Sequence, residues 1–419
     1  MNRSLSGEPG VLLLGGDYYG TLAAARCYGR NGIRVTMADE NKRARAGFSR
    51  YVADRLVHPP LAESAAIVDW LVRWGEKHPG TVLYPTNDHL AWLFAVERDR
   101  LGGVFRMLSP GEETIMTLLD KRRLYEACGE VGLEVAATGG SGELGYPLLL
   151  KPRTQVSLAI GIKGFIVRDR EHLASQLAWF RKLVAFSPAL LARHPDIAEP
   201  MVQGYLAVGE SNILSLSGYV GDGGQLIARA SLKILQRPRK VGIGLCFEGH
   251  AVEARLTEQL AELCRRTGYQ GAFEAEFIVE GDRRLLIDFN PRFYSQMAFE
   301  VARGLPLPLL VWHAARGERA RVTEELARAR AWAPSGNEIY CHKTMLDLVL
   351  TLQRISRRMS HAEVNQWRGW HRRAARVGAA TDAVRDPEDP LPAVVDTLRW
   401  VTDFAKHPRS FVRSYVLNR

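Results

Sequence analysis

The residues best suited to chemistry lie in one segment of the second half of the chain, GAFEAEFIVEGDRRLLIDFNPR, residues 271–292. Two stretches with period-two alternation flank EGDRR, which predicts an antiparallel hairpin whose turn centres on Asp282. In that register Glu276 lies opposite Asp288. Directly opposed residues of an antiparallel pair point to the same face and lie close together, so the hairpin brings two carboxylates into one place.

The same alternation divides the hairpin into a polar face and an apolar face. The polar face is predicted to hold Glu274, Glu276, Asp288, Asn290 and Arg292. The apolar face is predicted to hold Phe273, Ala275, Phe277, Val279, Leu285, Ile287 and Phe289. An acid, an amide and a guanidinium at alternate positions of one strand therefore face the same space.

Two opposed carboxylates repel each other unless one is protonated or a cation lies between them. Mg²⁺ fits this arrangement because it prefers hard oxygen ligands and keeps positions for water and phosphate oxygens. Asn290 can add a neutral carbonyl ligand, and the planar fork of Arg292 can hold a phosphate or a carboxylate. The polar face is therefore a candidate site for a metal–nucleotide complex. The alternative is a solvent-facing hairpin whose acids pair with Arg283 and Arg284.

Features upstream of the hairpin could complete such a site. Lys121 begins a predicted helix, and Lys151 ends a predicted strand, YPLLLKP. Two lysines in these positions could neutralise triphosphate oxygens, although each alone is also compatible with an ordinary surface lysine. The strand in EPMVQGYLAVGES could present the backbone of residues 201–206 to an adenine edge, and Glu210 could then accept hydrogen bonds from ribose hydroxyls.

Two kinds of sheet must position these residues. Up to about residue 110, short apolar strands such as VLLLGG alternate with helical segments, which predicts a parallel sheet covered by helices. Further strands follow, with an amphipathic helix capped by Gly268. The apolar stripe of that helix is predicted to consist of Val252, Leu256, Leu260 and Leu263. From about residue 310 the chain is predicted to be mostly helical.

The motifs DK, GLEVAAT, YPLLLKP, VQGYLAVGE, FEAEF and LLIDFNPR, in this order, resemble those of the ATP-grasp superfamily. More narrowly, the chain is similar to the carbamoyl-phosphate-synthase-like carboxylate–amine ligases, including the D-aspartate ligase type. The resemblance implies an α/β (α+β) fold in three parts. These are a Rossmann-like N-terminal domain (1–113), an ATP-grasp domain of two lobes with antiparallel sheets (114–312) and a mostly helical C-terminal region (313–419).

The resemblance also implies a role for each candidate residue. The residues implied to bind ATP are Lys121, Lys151, Gln203, Tyr205, Leu206 and Glu210. The residues implied to bind Mg²⁺ or Mn²⁺ are Glu276, Asp288 and Asn290. Arg292 is implied to steady an acyl phosphate, and Lys233 to approach the transferred phosphate from a mobile loop. Asp288 stands where the family usually carries Glu, and the segment RTQVSLAIGIKG has few glycines for a phosphate-binding loop.

The implied activity is that of an ATP-dependent carboxylate–amine ligase. ATP phosphorylates a carboxylate, and an amine then displaces phosphate to form an amide-like bond, which depends mainly on positioned cations. The expected partners are small-molecule substrates, without nucleic acid, and a homodimer is compatible with the family. Asp88, in PTNDH, is expected either at the acceptor side of the cleft or in a turn. A degenerate ATP-grasp protein that binds nucleotide without turnover is an alternative.

Two other features allow different interpretations. Glycines 15, 16 and 20, followed by Asp39 after a second strand, loosely match a dinucleotide-binding fingerprint. The C-terminal segments QRISRRM and WRGWHRRAARVG are basic, and with Trp367, Trp370 and Trp400 they could serve a binder of nucleic acid or of a membrane surface. Such tryptophans also commonly anchor a helical region to its core.

Composition narrows the class of protein. The chain has 419 residues, of which 46% are hydrophobic, and a net charge of +10, values typical of a globular protein of two or three domains that attracts anions. No apolar run approaches the ~20 residues that span a bilayer, and the N-terminal apolar stretch is too short for a signal peptide, so a cytoplasmic location is expected. The five cysteines form no CxxC pair, which argues against a disulfide framework or a zinc site.

Overall fold

The structure, a computed structural model, describes residues 9–108, 110–156, 164–183, 186–207, 212–237 and 243–412. Its first sheet consists of β1 (Val11–Leu14), β2 (Val35–Asp39), β3 (Val52–Val57), β4 (Val82–Leu83) and β5 (Arg106–Met107). The order is β3-β2-β1-β4-β5, with every pair parallel, which confirms the predicted parallel sheet. The accompanying helices are α1 (Tyr19–Arg30), α2 (Ser64–Lys77), α3 (Asp88–Val96) and α4 (Arg98–Gly102).

A three-stranded antiparallel sheet follows in the chain. Its strands are β6 (Leu148–Lys151), β7 (Phe165–Val167) and β8 (Met201–Gly204), in the order β7-β6-β8. The helices before and between them are α5 (Glu112–Leu119), α6 (Lys121–Glu130), α7 (Ser141–Leu144), α8 (Arg170–Leu183) and α9 (Pro188–Arg193). Alternate residues of β6 are directed at a common space, because Leu149 and Lys151 both line one cavity.

The third sheet is the largest and carries the hairpin. Its strands are β9 (Ile213–Val220), β10 (Leu226–Arg237), β11 (Ile243–His250), β12 (Gly271–Glu280), β13 (Arg283–Asn290), β14 (Ile339–Cys341) and β15 (Ala380–Asp382). They are ordered β13-β12-β9-β10-β11-β14-β15, and the pairs are antiparallel except for β14 with β15. Short 3₁₀ helices occupy Arg45–Phe48, Pro195–Ala198 and Asp222–Gly224.

The predicted hairpin is formed by β12 and β13, and the half away from its turn has the expected register. Glu276 pairs with Asp288, and Glu274 pairs with Asn290. On the other side of β12, Glu276 pairs with Ser215 of β9. Asp288 lies on β13 at the end of the sheet, but both acids line an internal cavity and their side chains are less than one fifth exposed. The alternative of a solvent-facing hairpin is therefore wrong.

A bulge changes the register between Asp288 and the turn. Phe277 lies opposite Leu286 rather than Ile287, and Ile278 lies opposite Leu285. Phe277 and Leu286 are fully buried, whereas Ile278 and Ile287 line the cavity. The prediction that Leu285 and Ile287 share a face with Phe277 is wrong, because one extra residue in β13 reverses the facing of the positions beyond it.

Helix α10 (Ala254–Thr267) confirms most of the predicted amphipathic stripe. Leu256, Leu260 and Leu263 are buried, and Gly268 caps the helix in the left-handed conformation with a φ of 70°. Val252 precedes the helix and its side chain is 42% exposed. Its assignment to the stripe is therefore wrong, because the 3.6-residue period begins only where the helix does.

The C-terminal region is mostly helical, as predicted, but β14 and β15 also extend the large sheet. Helices α11 (Met297–Ala302) and α12 (Leu307–Ala315) lead into this region. Its own helices are α13 (Arg319–Ala331), α14 (Lys343–Ile355), α15 (His361–Arg376), α16 (Leu391–Lys406) and α17 (Pro408–Phe411). Within the described ranges, no helix combines the length and the apolar character that crossing a membrane requires.

The three tryptophans of the basic C-terminal region are used for packing. Trp367, Trp370 and Trp400 contact a buried cluster that includes residues of β10, β11 and α14. The indole Nε1 of Trp370 donates a hydrogen bond to Glu248 Oε1 at 2.6 Å. These three rings thus anchor the C-terminal helices to the large sheet. A binder of nucleic acid or of a membrane surface would need to present them at the surface instead.

Candidate active site

A cavity of about 350 Å³ is lined by residues of the two antiparallel sheets and of α1, α6 and α14. The predicted site residues that line it are Lys121, Lys151, Gln203, Tyr205, Leu206, Lys233, Glu276, Asp288, Asn290 and Arg292. Glu210, predicted to bind ribose, lies outside the described residues, as does most of the segment RTQVSLAIGIKG. The structure therefore brings together every predicted site residue that it describes.

The lysine of α6 is positioned by a buried ion pair at the start of that helix. Asp120 caps α6 by accepting a hydrogen bond from the backbone of Arg122, and its carboxylate pairs with Arg153. The backbone N of Lys121 donates to the carbonyl of Arg153 at 2.9 Å. At the far end of the side chain, Lys121 Nζ lies 2.8 Å from Asp288 Oδ1.

Lys233 makes the equivalent pair with the opposed acid. Its Nζ lies 2.5 Å from Glu276 Oε1. Burial is the largest effect on the pKa of Lys233 and lowers it, but the charge and hydrogen bond of Glu276, together with the charges of Glu274 and Asp288, raise the pKa above its ordinary value, so the lysine is charged at neutral pH. The prediction that Lys233 lies on a mobile loop is wrong, because β10 continues through Arg237 and pairs with strands on both sides. Each of the two opposed carboxylates is thus balanced by a lysine from a different element.

Lys151 makes no such carboxylate contact with the residues that the structure describes, and a phenol holds it instead. Its Nζ donates to Tyr125 Oη at 3.0 Å, and Tyr125 in turn donates to Gln203 Oε1 at 3.2 Å. Burial lowers the pKa of Lys151 to about 7, and the charge of Lys121 acts in the same direction. A bound anion would favour the charged form, so this lysine is poised to take up a proton when phosphate binds.

A third acid, Glu274, lies beside the opposed pair. It accepts hydrogen bonds from Asn290 Nδ2 at 3.1 Å and from Ser215 Oγ at 3.3 Å, and it contacts Gln296. Burial, followed by the charge of Glu276, raises the pKa of Glu274 to about 8. Sequence alternation placed this residue on the polar face without a role, and the structure shows that it orients the amide of Asn290.

Arg292 is fixed by groups from α3, from β13 and from the segment after β13. Its Nε pairs with Asp88, its Nη1 donates to the carbonyl of Phe293 at 2.9 Å, and its Nη2 donates to Asn290 Oδ1 at 2.8 Å. Asp88 is the first residue of α3 and is buried, so a helix that accompanies the parallel sheet supplies the counter-charge for the guanidinium. Asp88 contacts the cavity through Arg292, which lines it, so its place at the acceptor side of the cleft stays a prediction.

Two of the backbone amides predicted to meet an adenine edge are already engaged within the protein. The amide of Gly204 donates to the carbonyl of Ala137 at 2.9 Å, and the amide of Tyr205 donates to the carbonyl of Pro147 at 3.2 Å. In this conformation neither amide is available to a base. The side chains of Tyr205 and Leu206 still line the cavity.

The donor set fits Mg²⁺ in its chemistry, since two carboxylates and an amide are hard oxygen ligands. In the structure, lysines hold the two carboxylates and Arg292 holds the amide oxygen of Asn290. Among the described residues, no group of three or more His, Cys, Asp or Glu side chains is arranged as a metal site. Metal binding therefore requires the lysines to exchange partners.

Sequence reasoning missed one side of the cavity. Residues that line it without having been predicted include Tyr19, Phe247, Tyr340, His342 and Met345. They come from α1, from β11 and from the C-terminal region, and no motif spacing links them. β14, which carries Tyr340, has only three residues and is too short to show a period of its own.

Several solved structures have an architecture similar to that of this chain. The chain is similar to biotin carboxylase from Campylobacter jejuni in complex with β-γ-ATP, with a TM-score of 0.56 and 16% identity over 74% of this chain and 71% of that chain. It is similar to the biotin carboxylase domain of Hydrogenobacter thermophilus 2-oxoglutarate carboxylase, in complex with MgADP, ADP and bicarbonate, with a TM-score of 0.55 and 17% identity over 74% and 70%. It is also similar to L-amino acid ligase from Bacillus licheniformis, with a TM-score of 0.53 and 12% identity over 74% and 75%. The chain has the ATP-grasp fold.

At identities of 12–17%, these similarities establish the ATP-grasp fold and the α/β class. No protein-family model matches the chain, and no curated protein matches it. The narrower assignment to the D-aspartate ligase type stays a prediction.

The glycines near the N-terminus of this ATP-grasp chain have roles other than dinucleotide binding. Asp39 Oδ2 accepts a hydrogen bond from Gly16 N at 2.6 Å, so the acid that would hold a ribose holds the loop instead. A Cβ at Gly20 would lie 2.3 Å from the carbonyl oxygen of Tyr294. Gly20 is therefore required for the close approach of α1 to the segment after β13, which the dinucleotide interpretation does not need.

Proposed function

We propose that this protein is an ATP-dependent carboxylate–amine ligase that activates a carboxylate as an acyl phosphate and joins it to an amine. The observation that carries the proposal is the pair of opposed carboxylates, Glu276 and Asp288, each balanced by a lysine inside one cavity. When MgATP binds, these two ion pairs can be replaced by new contacts, because the acids can bind a metal ion while the lysines bind phosphate oxygens. The complexes of similar structures with β-γ-ATP and MgADP support it.

The nucleotide site in this proposal uses the residues around the three-stranded sheet. Lys121 and Lys151 bind phosphate oxygens, and Gln203, Tyr205 and Leu206 bind the adenine. Glu210 binds the ribose in this assignment. Lys151 gains its full charge on binding, since the anion offsets the effect of burial on its pKa.

Glu276, Asp288 and Asn290 are the residues that would hold Mg²⁺ (or Mn²⁺). The metal would supply a positive charge against the phosphate oxygens, which is the main requirement of phosphoryl transfer. Glu274 and Arg292 orient Asn290, because they hold its amide nitrogen and its carbonyl oxygen respectively. The shorter side chain of Asp288, where the family usually has Glu, places its carboxylate within reach of Lys121.

The reaction then has two steps. An oxygen of the substrate carboxylate attacks the γ-phosphorus of ATP, the bond to the β,γ-bridging oxygen breaks, and ADP leaves. The amine nitrogen attacks the acyl carbon, the bond from that carbon to the phosphate oxygen breaks, and the nitrogen loses a proton as phosphate leaves. Lys233 and Arg292 neutralise charge on the transferred group in both steps.

The test compares Glu276→Gln with Glu280→Gln, a control on the same strand whose side chain is exposed near the turn. The full-length protein is incubated with ATP, Mg²⁺, pooled carboxylic acids and hydroxylamine, which traps acyl phosphates as hydroxamates. Wild type and E280Q are expected to form hydroxamate with release of phosphate. E276Q is expected to lose at least about 10³-fold in rate, because one of the two carboxylates that would hold the metal ion is replaced by a neutral amide.

The controls of this experiment separate two failures. Unchanged turnover in E276Q would contradict the role of Glu276. If wild type forms no hydroxamate from any carboxylate pool yet binds MgATP, the ligase proposal is wrong and the nucleotide-binding alternative gains support.

A further inference from the structure

The cavity has a second half that the proposed nucleotide site does not use. In the seven-stranded sheet, β12 and β13 lie toward one edge, and β11 and β14 lie on the other side of β10. The acidic residues that line the cavity in the described part of the chain are Glu274, Glu276 and Asp288, and all of them lie on β12 and β13. Lys233 on β10 therefore separates an acidic half from a half to which the described residues contribute no carboxylate.

One row of paired residues forms the floor of this second half. Ile213 lies opposite Lys233, Lys233 opposite Phe247, and Phe247 opposite Tyr340. Opposed residues share a face of the sheet, and all four line the cavity. The rings of Phe247 and Tyr340 meet edge to face, with their centroids 5.8 Å apart. Beyond the lysine, the floor is thus made of two aromatic rings.

The facing wall is also poor in free polar atoms. It contains Tyr19 of α1, His342, which caps the N-terminus of α14, and Met345 of α14. The rings of Tyr19 and His342 meet edge to face, with their centroids 5.3 Å apart. His342 Nε2 donates to the buried carboxylate of Asp396 at 2.8 Å, and its Nδ1 accepts from the backbone of Met345 at 3.2 Å. With both nitrogens engaged, the imidazole presents ring carbons to the cavity.

We propose that this aromatic pocket, formed by Tyr19, Phe247, Tyr340, His342 and Met345, binds the side chain of the carboxylate substrate, which is an aromatic or large aliphatic carboxylic acid. The inference rests on the proposed function, which sets the orientation of the substrate: its carboxylate end lies toward the nucleotide. That end meets the charged Lys233 at the boundary of the two halves, whereas an ammonium group would meet a like charge there. The apolar end is removed from water against rings and a thioether.

Two methionines provide a matched pair of variants. Met345 and Met359 are both buried in the same apolar cluster, and of the two it is Met345 that lines the cavity. Substitution by alanine removes the same atoms from each, so the two variants differ in contact with the ligand rather than in lost packing. Gly244→Ala is a further variant, since a Cβ there would lie 2.2 Å from the ring of Phe247 and must displace it.

The experiment measures the binding of 3-phenylpropanoate and of glutarate to the full-length protein in the presence of MgADP, by calorimetry. Wild type and Met359→Ala are expected to bind 3-phenylpropanoate at least about tenfold more tightly than glutarate. Met345→Ala is expected to lose about tenfold in affinity for 3-phenylpropanoate alone. Gly244→Ala is expected to lose at least as much for 3-phenylpropanoate and also some affinity for glutarate, because the added Cβ would lie 3.1 Å from Lys233 Cε.

Tighter binding of glutarate, or equal affinities in Met345→Ala and Met359→Ala, would overturn the proposal. Binding to the MgADP complex requires no turnover. A failure here is therefore distinct from a failure to form hydroxamate, which bears on the ligase proposal itself.

Discussion

The two halves of the cavity are held in shape by different forces. In the acidic half, Glu276 and Asp288 are fixed by ion pairs with Lys233 and Lys121. In the aromatic pocket, rings and a thioether are fixed by packing and by hydrogen bonds directed away from the cavity. The first half must exchange its internal contacts to bind a ligand, whereas the second offers a surface that is already formed. In this account the acidic half binds the charged metal–nucleotide complex after its ion pairs exchange, and the aromatic pocket binds the substrate side chain on a surface that is already formed.

The two halves of the cavity should also differ in how much stability a substitution costs. A buried ion pair gains little net stability over apolar packing, but removal of one partner leaves a charge without compensation and is costly. Apolar packing loses stability in proportion to the cavity that a substitution leaves. Substitutions in the acidic half should therefore affect folding and catalysis together, and those in the aromatic pocket should mainly affect substrate affinity.

The largest effect on stability is expected from Lys233→Met. It leaves Glu276 partly buried without its cation, which should lower the free energy of unfolding by about 3 kcal/mol. The control is Lys343→Met, whose partner Asp347 is more exposed, and which should cost less than about 1 kcal/mol. Urea unfolding measures both. In the double variant Lys233→Met/Glu276→Gln part of the loss should be recovered, and a fully additive double variant would contradict the pairing.

A smaller effect, on turnover together with some loss of stability, is expected from Asp88→Asn, because Asp88 and Arg292 form a mostly buried ion pair. The guanidinium of Arg292 loses the charge that aligns it, so the rate should fall about 50-fold while the affinity for MgATP changes less than about twofold. Asp69→Asn is the control, because Asp69 makes an exposed pair with Arg100 in the same part of the chain. Equal rates in D88N and D69N would show that Arg292 is positioned without Asp88.

The affinity for nucleotide is expected to depend on pH through Lys151. Since the pKa of this lysine is about 7 in the free protein and a bound phosphate raises it, binding takes up a proton. Affinity for MgADP should therefore fall by about tenfold as the pH rises from 7 to 9. Calorimetry in two buffers of different ionisation enthalpy measures the proton uptake. In Lys151→Arg the guanidinium stays charged, and a dependence on pH that persists in this variant would assign the effect to another group.

The smallest effect is expected from Trp370→Phe, which removes the indole N–H that donates a hydrogen bond to Glu248. The free energy of unfolding should fall by about 1 kcal/mol, the usual contribution of one hydrogen bond. Trp367→Phe, on the same helix, is the control for the change in ring size. Substrate affinity should remain unchanged in both, and a loss specific to W370F would extend the site to α15.

The acidic half could be predicted because its geometry is local. Glu276 and Asp288 lie in one hairpin, so alternation and a short turn suffice to oppose them. The bulge in β13 could not be foreseen, because a single extra residue leaves no mark in the periodic pattern. The convergence of Lys121 and Lys151 on the hairpin was implied by family resemblance alone, since neither residue is near it in the chain.

The aromatic pocket could not be predicted for the opposite reason. Tyr19 and His342 are 323 positions apart, and they meet because a three-residue strand joins the C-terminal region to the large sheet. A strand of that length has no readable period, and its aromatic residue is equally compatible with an ordinary core. The position of Glu210 is not described, so its role stays a prediction.

The central claim is that the ion pairs of Glu276 and Asp288 with lysines break when MgATP binds, and that both carboxylates then bind the metal ion. A crystal structure with Mg²⁺ and a non-hydrolysable ATP analogue tests it directly. The account predicts both carboxylates within about 2.1 Å of the metal, with Lys121 and Lys233 moved onto phosphate oxygens. A bound nucleotide whose metal lies away from these acids, with both lysines still paired to them, would contradict it.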